Sequence, residues 1–361
     1  MTEPDVQPDV QPDVRTDAAR EALARGPLVD GHNDLAWALR LTRDYSVEGL
    51  ETPGDGPPLH TSVDRLRRGG VGAQFWSVFA ETDLAGGDAV RYTLEQVDAV
   101  HRLVARYPGT FELAWSADDV RRAWRAGRIA SLLGAEGGHS IGGSLGVLRV
   151  LRGLGVRYLT LTHNATTDWA DSATDAPRHG GLAPFGVEVV AELNRLGMLV
   201  DLSHVAAATM HAALDMTTAP VVFSHSGCRA VTDHPRNVPD DVLRRLAGNG
   251  GVVMVAFVPP FVHAGYAAWR AGDRAAPPPR VTVDDVADHV EHAARVAGVA
   301  HVGLGSDYDG FAAFPEGMED VTGFARLLDR LAERGWSADD LAALAGGNVL
   351  RVLDAADAAA G

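Results

Sequence analysis

The feature that most constrains the fold is a pattern that recurs along the whole chain: a short apolar run, typical of a buried β-strand, is followed by a segment with helical spacing. Eight such runs occur, at residues 28–34, 69–80, 129–136, 156–163, 197–204, 219–225, 250–257 and 300–307. Apolar runs that alternate with helices are typical of a parallel sheet covered by helices. Eight repeats favour a closed (β/α)8 barrel, a TIM-like fold whose functional residues gather at the carboxyl ends of the strands.

The alternative fold is a doubly wound open sheet, which also alternates strands with helices. That fold binds its ligands through a glycine-rich phosphate loop after the first strand. Gly134, Gly137 and Gly138 form the nearest candidate, and their spacing does not match such a loop. The barrel is therefore the preferred prediction.

The N-terminal segment differs in composition from the rest of the chain. Residues 4–14 repeat Pro-Asp-Val with Gln between the copies, and an acidic, proline-punctuated segment with little apolar mass does not fold alone. We predict a disordered leader over residues 1–15 and a single (β/α)8 domain over residues 16–361. Within the domain, we predict that residues 35–68 are rich in loops, that Arg157 lies on the surface, and that His289 lies on a solvated helix face.

The composition of the chain excludes several functions. All 32 basic residues are arginines, and the lack of lysine excludes a Walker-type phosphate loop, a lysine Schiff base and a carbamylated-lysine metal bridge. The formal charge of -16 argues against nucleic acid or an anionic membrane as a partner. A single cysteine, Cys228, excludes an intramolecular disulfide and a cysteine-rich zinc site. With no signal-type or membrane-spanning apolar segment in the sequence, we predict a cytoplasmic protein.

Side chains that can bind metals stand at the ends of six of the eight predicted strands. They are His32, Asp34, Glu136, His163, His204, His225 and Asp307. In a barrel these strand ends meet at one face, so we expect the side chains to converge there. Imidazole and carboxylate donors suit zinc.

The number of candidate ligands indicates more than one metal ion. His32, Asp34, Glu136, His204 and His225 are too many ligands for one tetrahedral site. The carboxylate of Glu136 can give one oxygen to each of two ions, which predicts a binuclear zinc site with a hydroxide bridging the metals. Two zinc ions per chain are therefore the predicted cofactor.

Seven segments, in order along the chain, carry a family resemblance. They are residues 30–35 (Asp-Gly-His-Asn-Asp-Leu), 136–140 (Glu-Gly-Gly-His-Ser), 159–164 (Leu-Thr-Leu-Thr-His-Asn), 201–205 (Asp-Leu-Ser-His-Val), 223–226 (Phe-Ser-His-Ser), 236–241 (Arg-Asn-Val-Pro-Asp-Asp) and 305–310 (Gly-Ser-Asp-Tyr-Asp-Gly). These segments resemble the membrane (renal) dipeptidase family, zinc metallopeptidases of the amidohydrolase-like superfamily. The resemblance extends from about Leu28 to the C-terminal helix.

The resemblance implies the metal ligands and their distribution. His32 and Asp34 would bind the first zinc, and His204 and His225 would bind the second. Glu136 would bridge the two ions. The expected activity is zinc-dependent hydrolysis of dipeptides.

The resemblance also implies how the substrate is handled. His163 would contact the substrate carbonyl, Arg236 would hold the terminal carboxylate, and Asp307 would transfer the proton. Some relatives accept dipeptides with a D-residue on the C-terminal side and open β-lactam rings. Members are often dimeric, so we expect a homodimer. The sequence lacks the cysteines, signal peptide and lipid-anchor tail of the mammalian members, so membrane attachment is not implied.

Two alternatives remain open from the sequence. One is another hydrolase on the same barrel, a cyclic amidase or a deaminase; a deaminase usually needs one metal, which would leave Glu136 without a bridging role. The other is a non-enzymatic barrel that binds a peptide or a partner. Such a protein would tolerate the loss of Asp307.

Overall fold

A closed barrel of parallel strands forms the centre of the computed structural model, which describes residues 11–52 and 59–361. Within these residues the strands are β1 (Leu28–Asn33), β2 (Val71–Phe79), β3 (Phe111–Leu113), β4 (Ile129–Glu136), β5 (Val156–Thr160), β6 (Leu199–Asp201), β7 (Val222–Ser226), β8 (Val252–Val255) and β9 (Val302–Leu304). Eight of them pair in the order β2-β1-β9-β8-β7-β6-β5-β4, and β4 pairs back with β2 to close the ring. The predicted (β/α)8 barrel is confirmed.

The short strand β3 lies outside this ring and was not predicted. It pairs with the first residues of β4, from Ile129 to Ser131, while β5 pairs with the later residues of β4, from Leu133 to Glu136. One edge of β4 therefore pairs first with β3 and then with β5. With only three residues, β3 is too short to give a periodic signal in the sequence.

Helices cover the outside of the barrel and connect its strands. They are α1 (Asp17–Arg25), α2 (Leu35–Arg43), α3 (Val63–Arg68), α4 (Gly86–Arg106), α5 (Ala117–Arg125), α6 (Leu145–Gly153), α7 (Pro184–Arg195), α8 (Ala207–Met216), α9 (Asp240–Asn249), α10 (Pro259–Val262), α11 (Ala264–Ala271), α12 (Val283–Ala297), α13 (Gly323–Glu333), α14 (Ala338–Ala342) and α15 (Asn348–Ala359). Ser62, Ser116, Ser144 and Ser337 each cap a helix, because the side-chain oxygen accepts a hydrogen bond from the backbone N–H three residues later.

The prediction that residues 35–68 are rich in loops is wrong for much of that stretch. Helix α2 begins directly after β1 and buries Leu35, Ala36 and Leu39 on one face. Helix α3 begins at the Ser62 cap. The glycines and prolines that suggested a loop lie at residues 53–58, which are outside the described residues.

The core has two layers, as expected for this architecture. The outer layer fills the space between strands and helices. The inner cluster fills the barrel with side chains such as Val29, Phe75, Leu132 and Met254, and residues of α5 and α15 belong to the same cluster. These two helices therefore cover the barrel end at which the strands begin, and the other end remains available for a site.

Two side chains predicted to face solvent are buried instead. Arg157, at the start of β5, donates hydrogen bonds to the backbone oxygens of Gly197 and Trp115 and pairs with Asp357 at 2.6 Å. His289 on α12 is fully buried, and its Nδ1 accepts a hydrogen bond from the Cys228 backbone at 2.8 Å. Both polar groups are tolerated inside because partners distant in sequence engage them, namely backbone groups and, for Arg157, the Asp357 carboxylate.

The end of the predicted leader lies against the barrel. The backbone N–H of Asp13 donates to the oxygen of Arg68 at 2.7 Å, and the Asp13 carboxylate pairs with the Arg68 guanidinium at 2.8 Å. The backbone N–H of Arg15 donates to the Asp329 carboxylate. Residues 11–15 are thus held in place, whereas residues 1–10 of the predicted leader lie outside the described residues. Among the helices of the described chain, none is long and apolar enough to cross a membrane.

Candidate metal centre and active site

The predicted ligand residues converge at the end of the barrel where the strands finish. His32, Glu136 and His225 lie within β1, β4 and β7. Within three residues of a strand end come Asp34, His163, His204 and Asp307, and Arg236 lies in the loop after β7. A cavity of about 570 Å³ opens there, lined by Asp34, Glu136, His163, His204, Arg236 and Asp307 among others. The structure therefore brings all eight side chains named from the sequence to a single region.

Two of these residues owe their position to an unusual backbone. His204 and Asp307 have φ angles of 67° and 68°, in the left-handed region that non-glycine residues rarely adopt. Such strain persists only where surrounding structure imposes it, and it is concentrated at functional sites. In both cases the turn directly after the strand aims the side chain into the cavity.

Glu136 lies at the centre of the cluster, and its two oxygens face different sides. Oε2 is 3.4 Å from Nε2 of His32 and accepts a hydrogen bond from Ser77 at 3.1 Å. Oε1 is 3.0 Å from Nε2 of His204 and 3.5 Å from Nε2 of His225. A carboxylate placed in this way can give one oxygen to each of two cations.

The donor set around Glu136 fits metal ions. His32, Glu136 and His225 have donor atoms within 4.8 Å of one another, as do Glu136, His163 and His204, and also His32, Asp34 and Asp307. Within the described part of the chain, the buried Nε2 of His32 has no hydrogen-bond partner. A buried polar atom without a partner is costly, and a cation between His32 and the carboxylates would satisfy it.

The protonation of the cluster follows from burial and neighbouring charges. Burial, together with nearby cationic groups, lowers the pKa of His204 and of His225 well below the usual range, which leaves the neutral imidazole that ligates metals. Burial also lowers the pKa of His163, to about 4. Burial and the neighbouring Asp34 raise the pKa of Asp307 well above its usual range. Asp34 and Asp307 therefore disfavour each other's negative charge, and a cation bound beside them would relieve this repulsion.

Tyr158 is part of the site and was missed by the sequence analysis. Its hydroxyl lies 2.8 Å from Nδ1 of His32 and donates to the backbone oxygen of Gly31 at 3.2 Å. When the hydroxyl proton is given to Gly31, the tyrosine oxygen accepts Nδ1–H of His32, and this is the tautomer whose Nε2 lone pair can bind a cation. The ring fits because residue 134 is glycine: a Cβ there would lie 1.9 Å from the Tyr158 ring.

Arg236 is a buried cation with free hydrogen-bonding capacity. Its side chain lines the cavity, and the residue is only 3% exposed. One hydrogen bond runs from Nη2 to the backbone oxygen of His225 at 3.2 Å, whereas Nε and Nη1 have no partner among the described residues. Burial lowers the pKa of Arg236 to about 10, so it remains charged at neutral pH. Such a guanidinium is suited to an incoming carboxylate.

The rest of the cavity wall mixes aromatic and charged side chains that carried no recognisable motif. Trp37 donates a hydrogen bond from its indole N–H to Glu81 at 3.0 Å. Arg270 on α11 stacks over the ring of Phe311, with 4.7 Å between the guanidinium carbon and the ring centroid. These contacts depend on loops between strands, where the sequence gives little guidance.

Comparison with known proteins places the chain in a family. The family described as membrane dipeptidase (peptidase family M19) matches residues 16–361. Among curated proteins, the dipeptidase aclJ of Aspergillus oryzae is 44% identical over 345 residues, which cover 92% of this chain and 79% of that protein.

Solved structures agree with this assignment. The metallopeptidase dipeptidase AC superposes with a TM-score of 0.82 at 26% identity, covering 92% of this chain and 98% of the other. A metallopeptidase from Rhodobacter sphaeroides, solved with a phosphinate mimic of the dipeptide L-Ala-D-Ala, gives a TM-score of 0.82 at 25% identity, covering 91% and 99%. The resemblance noted in the sequence is confirmed: this chain belongs to the membrane dipeptidase family of metallopeptidases and is a peptide-bond hydrolase.

Proposed function

We propose that this chain hydrolyses dipeptides with two zinc ions held at the carboxyl ends of the barrel strands. His32 and Asp34 would hold the first ion, and His204 and His225 the second. Glu136 would bridge them. One support is that the two oxygens of Glu136 face different histidines: Oε2 faces His32, and Oε1 faces His204 and His225. Another is that imidazoles and carboxylates are donors that zinc prefers.

The residues of the chain have separate tasks in this proposal. When bound, the zinc ions would supply a water of lowered pKa as nucleophile and act as Lewis acids on the substrate carbonyl. Asp307 takes the proton of the attacking water and passes it to the leaving amine. His163 donates a hydrogen bond to the carbonyl oxygen as negative charge develops there. Arg236 fixes the substrate by its carboxylate.

The observation that carries the proposal is the position of Arg236. An unpaired, buried guanidinium lines the same cavity as a cluster of metal-binding side chains. Because Arg236 donates to the backbone oxygen of His225 at 3.2 Å, a terminal carboxylate held at Arg236 would bring the last peptide bond of the substrate close to the metal cluster. The solved relative with a mimic of L-Ala-D-Ala further supports acceptance of a D-residue on the C-terminal side.

The number of bound zinc ions and the substrate range test this proposal together. We expect two zinc ions per chain by elemental analysis, and hydrolysis of L,L- and L,D-dipeptides in a kinetic screen of the zinc-loaded protein. One tightly bound ion combined with deaminase or cyclic amidase activity would favour the alternative hydrolase. Inactivity towards all dipeptides would contradict the proposal.

Arg236→Met is expected to lower kcat/KM for free dipeptides by about 10²–10³-fold, because a buried charge pair that loses one partner costs several kcal/mol. Dipeptides with an amidated C-terminus should be hydrolysed poorly by the parent protein and about equally poorly by the variant. Arg351→Met is a matched control, since Arg351 donates to the oxygens of Gly250 and Ala300 at the opposite end of the barrel. A parent protein that prefers amidated dipeptides would contradict the role of Arg236.

A homodimer and a cytoplasmic location also remain proposals for this chain. The first rests on the frequent dimerisation of family members. Light scattering on the purified protein measures the first directly, and two chains per particle is the expected result.

A further inference from the structure

We propose that Asp201, acting through the hydroxyl of Ser224, is a positioning residue that fixes the tautomer and orientation of His225. The inference rests on the proposed role of His225 as a ligand of the second zinc. Asp201 does not touch the cavity itself. It acts on the imidazole through one intervening side chain.

Asp201 is fully buried at the end of β6 and accepts four hydrogen bonds. Oδ1 accepts from the backbone N–H groups of Ser224, at 2.8 Å, and Ser203, at 3.1 Å. Oδ2 accepts from the hydroxyls of Ser224, at 2.6 Å, and Thr160, at 2.5 Å. With donors on β5, on β7 and in the turn after its own strand, the carboxylate is fixed in place and its acceptor capacity is filled.

The position of the Ser224 proton determines what the serine can offer to His225. The oxygen of Ser224 is 2.6 Å from the carboxylate of Asp201 and 2.8 Å from Nδ1 of His225. A hydroxyl has one proton, and the carboxylate is the stronger acceptor at a distance typical of a charge-assisted bond. Ser224 therefore gives its proton to Asp201 and accepts Nδ1–H from His225.

The consequence reaches the metal site. With the proton on Nδ1, Nε2 of His225 carries the lone pair, and Nε2 lies 2.9 Å from Nε2 of His204 and 3.5 Å from Glu136. This is the only neutral tautomer of His225 that can bind a cation between these groups. The Asp201–Ser224 pair thus prepares the imidazole for ligation before any ion arrives.

A second pair of the same kind occurs elsewhere in the barrel. Ser306 donates to Asp30 through its hydroxyl at 2.7 Å and its backbone N–H at 2.8 Å, so this pair joins the segment after β9 to β1, as the first pair joins β7 to β6. Among residues 11–52 and 59–361, no imidazole nitrogen bonds to the Ser306 hydroxyl; its other bonds are to the backbone of His32 and Tyr308. The second pair is therefore a natural control for a purely structural role.

The decisive variant is Asp201→Asn. The amide oxygen must stay with the two backbone N–H groups, so the amide NH₂ faces Ser224 and donates to it. The serine proton then turns to Nδ1 of His225, which moves the imidazole proton to Nε2, where it blocks ligation. Chelator competition with zinc alone should show the second zinc bound about 10–100-fold more weakly, the usual effect of losing such a partner, with the first zinc unchanged.

Ser224→Ala and the double variant sharpen the test. Removing the hydroxyl leaves Nδ1 of His225 without a partner, so the second zinc should again bind more weakly. In the Ser224→Ala background, Asp201→Asn should add little, because the serine that transmits its effect is gone. Fully additive losses would overturn the proposal.

Controls separate positioning from stability. Thr160→Val removes a bond to the same oxygen of Asp201, and Ser306→Ala breaks the second pair; both should lower Tm and leave the affinity for the second zinc unchanged. Unchanged affinity in Asp201→Asn and Ser224→Ala, in a protein whose parent binds two zinc ions and hydrolyses dipeptides, would overturn this inference alone. A parent protein that binds no second zinc would overturn the proposed function first, and this inference with it.

Discussion

Asp307→Asn should lower kcat for dipeptide hydrolysis by about 10²–10⁴-fold, the usual contribution of general acid–base catalysis, while the fold and both zinc ions are retained. The amide has the shape of the carboxylate but cannot accept the proton of the attacking water. Asp307 is well placed for that task, since its left-handed backbone turns the side chain into the cavity that Arg236 and Glu136 also line. Steady-state kinetics on the zinc-loaded variant measure the effect.

Asp309→Asn is the matched control for this prediction. Asp309 lies two residues further on, has the same left-handed backbone with φ 66°, and accepts a hydrogen bond from the backbone of His60 at 2.7 Å. The same chemical change there should alter kcat only a few-fold. Near-normal turnover in Asp307→Asn would remove the proton-transfer role. A loss of zinc in Asp307→Asn would instead indicate that Asp307 is a metal ligand. This alternative is worth measuring because Asp307 lies close to His32 and Asp34.

The barrel and the convergence of the candidate ligands at one end of it were predictable because both follow from a local pattern. Each strand is a short apolar run, and each candidate ligand stands at or just after the end of one. Once the runs number eight, closure brings the ends together without any further information. This is why Glu136 and His225, which are 89 residues apart in the sequence, could be assigned to one site before their contact was known.

The residues that support the ligands were not predictable in this way. Tyr158 reaches His32 across the interior of the barrel, 126 residues away in sequence, and a tyrosine within an apolar strand gives only the signal of a good strand former. The prediction that Arg157 lies on the surface fails because its partners are backbone oxygens of distant segments, which leave no signal in the sequence around it. Such contacts depend on strand register and helix placement, which periodicity alone does not determine.

Glu136→Gln is expected to reduce both activity and metal content: kcat/KM should fall by more than about 10³-fold, and fewer than two zinc ions should be retained. The neutral amide offers one oxygen and one NH₂ group, so either His32 or the pair His204 and His225 loses its shared carboxylate oxygen and faces a hydrogen-bond donor. Several kcal/mol of charge stabilisation per ion are lost with it. Elemental analysis and dipeptide kinetics on the same preparation measure both effects.

Thermal unfolding provides a readout of Glu136→Gln that does not depend on activity. A ligand that binds only the folded state at 100 times its Kd adds about 2.7 kcal/mol to the free energy of unfolding, so added zinc should raise Tm of the parent protein and raise it much less in the variant. Glu81→Gln is the matched control: Glu81 lines the same cavity but accepts its hydrogen bond from Trp37, and it should keep the full zinc response. Two tightly held zinc ions and an undiminished Tm shift in Glu136→Gln would mean that the two metal sites share no carboxylate. Each zinc ion would then need an anionic ligand of its own. Asp34 and Asp307 are carboxylates whose oxygens lie close enough to His32 to serve.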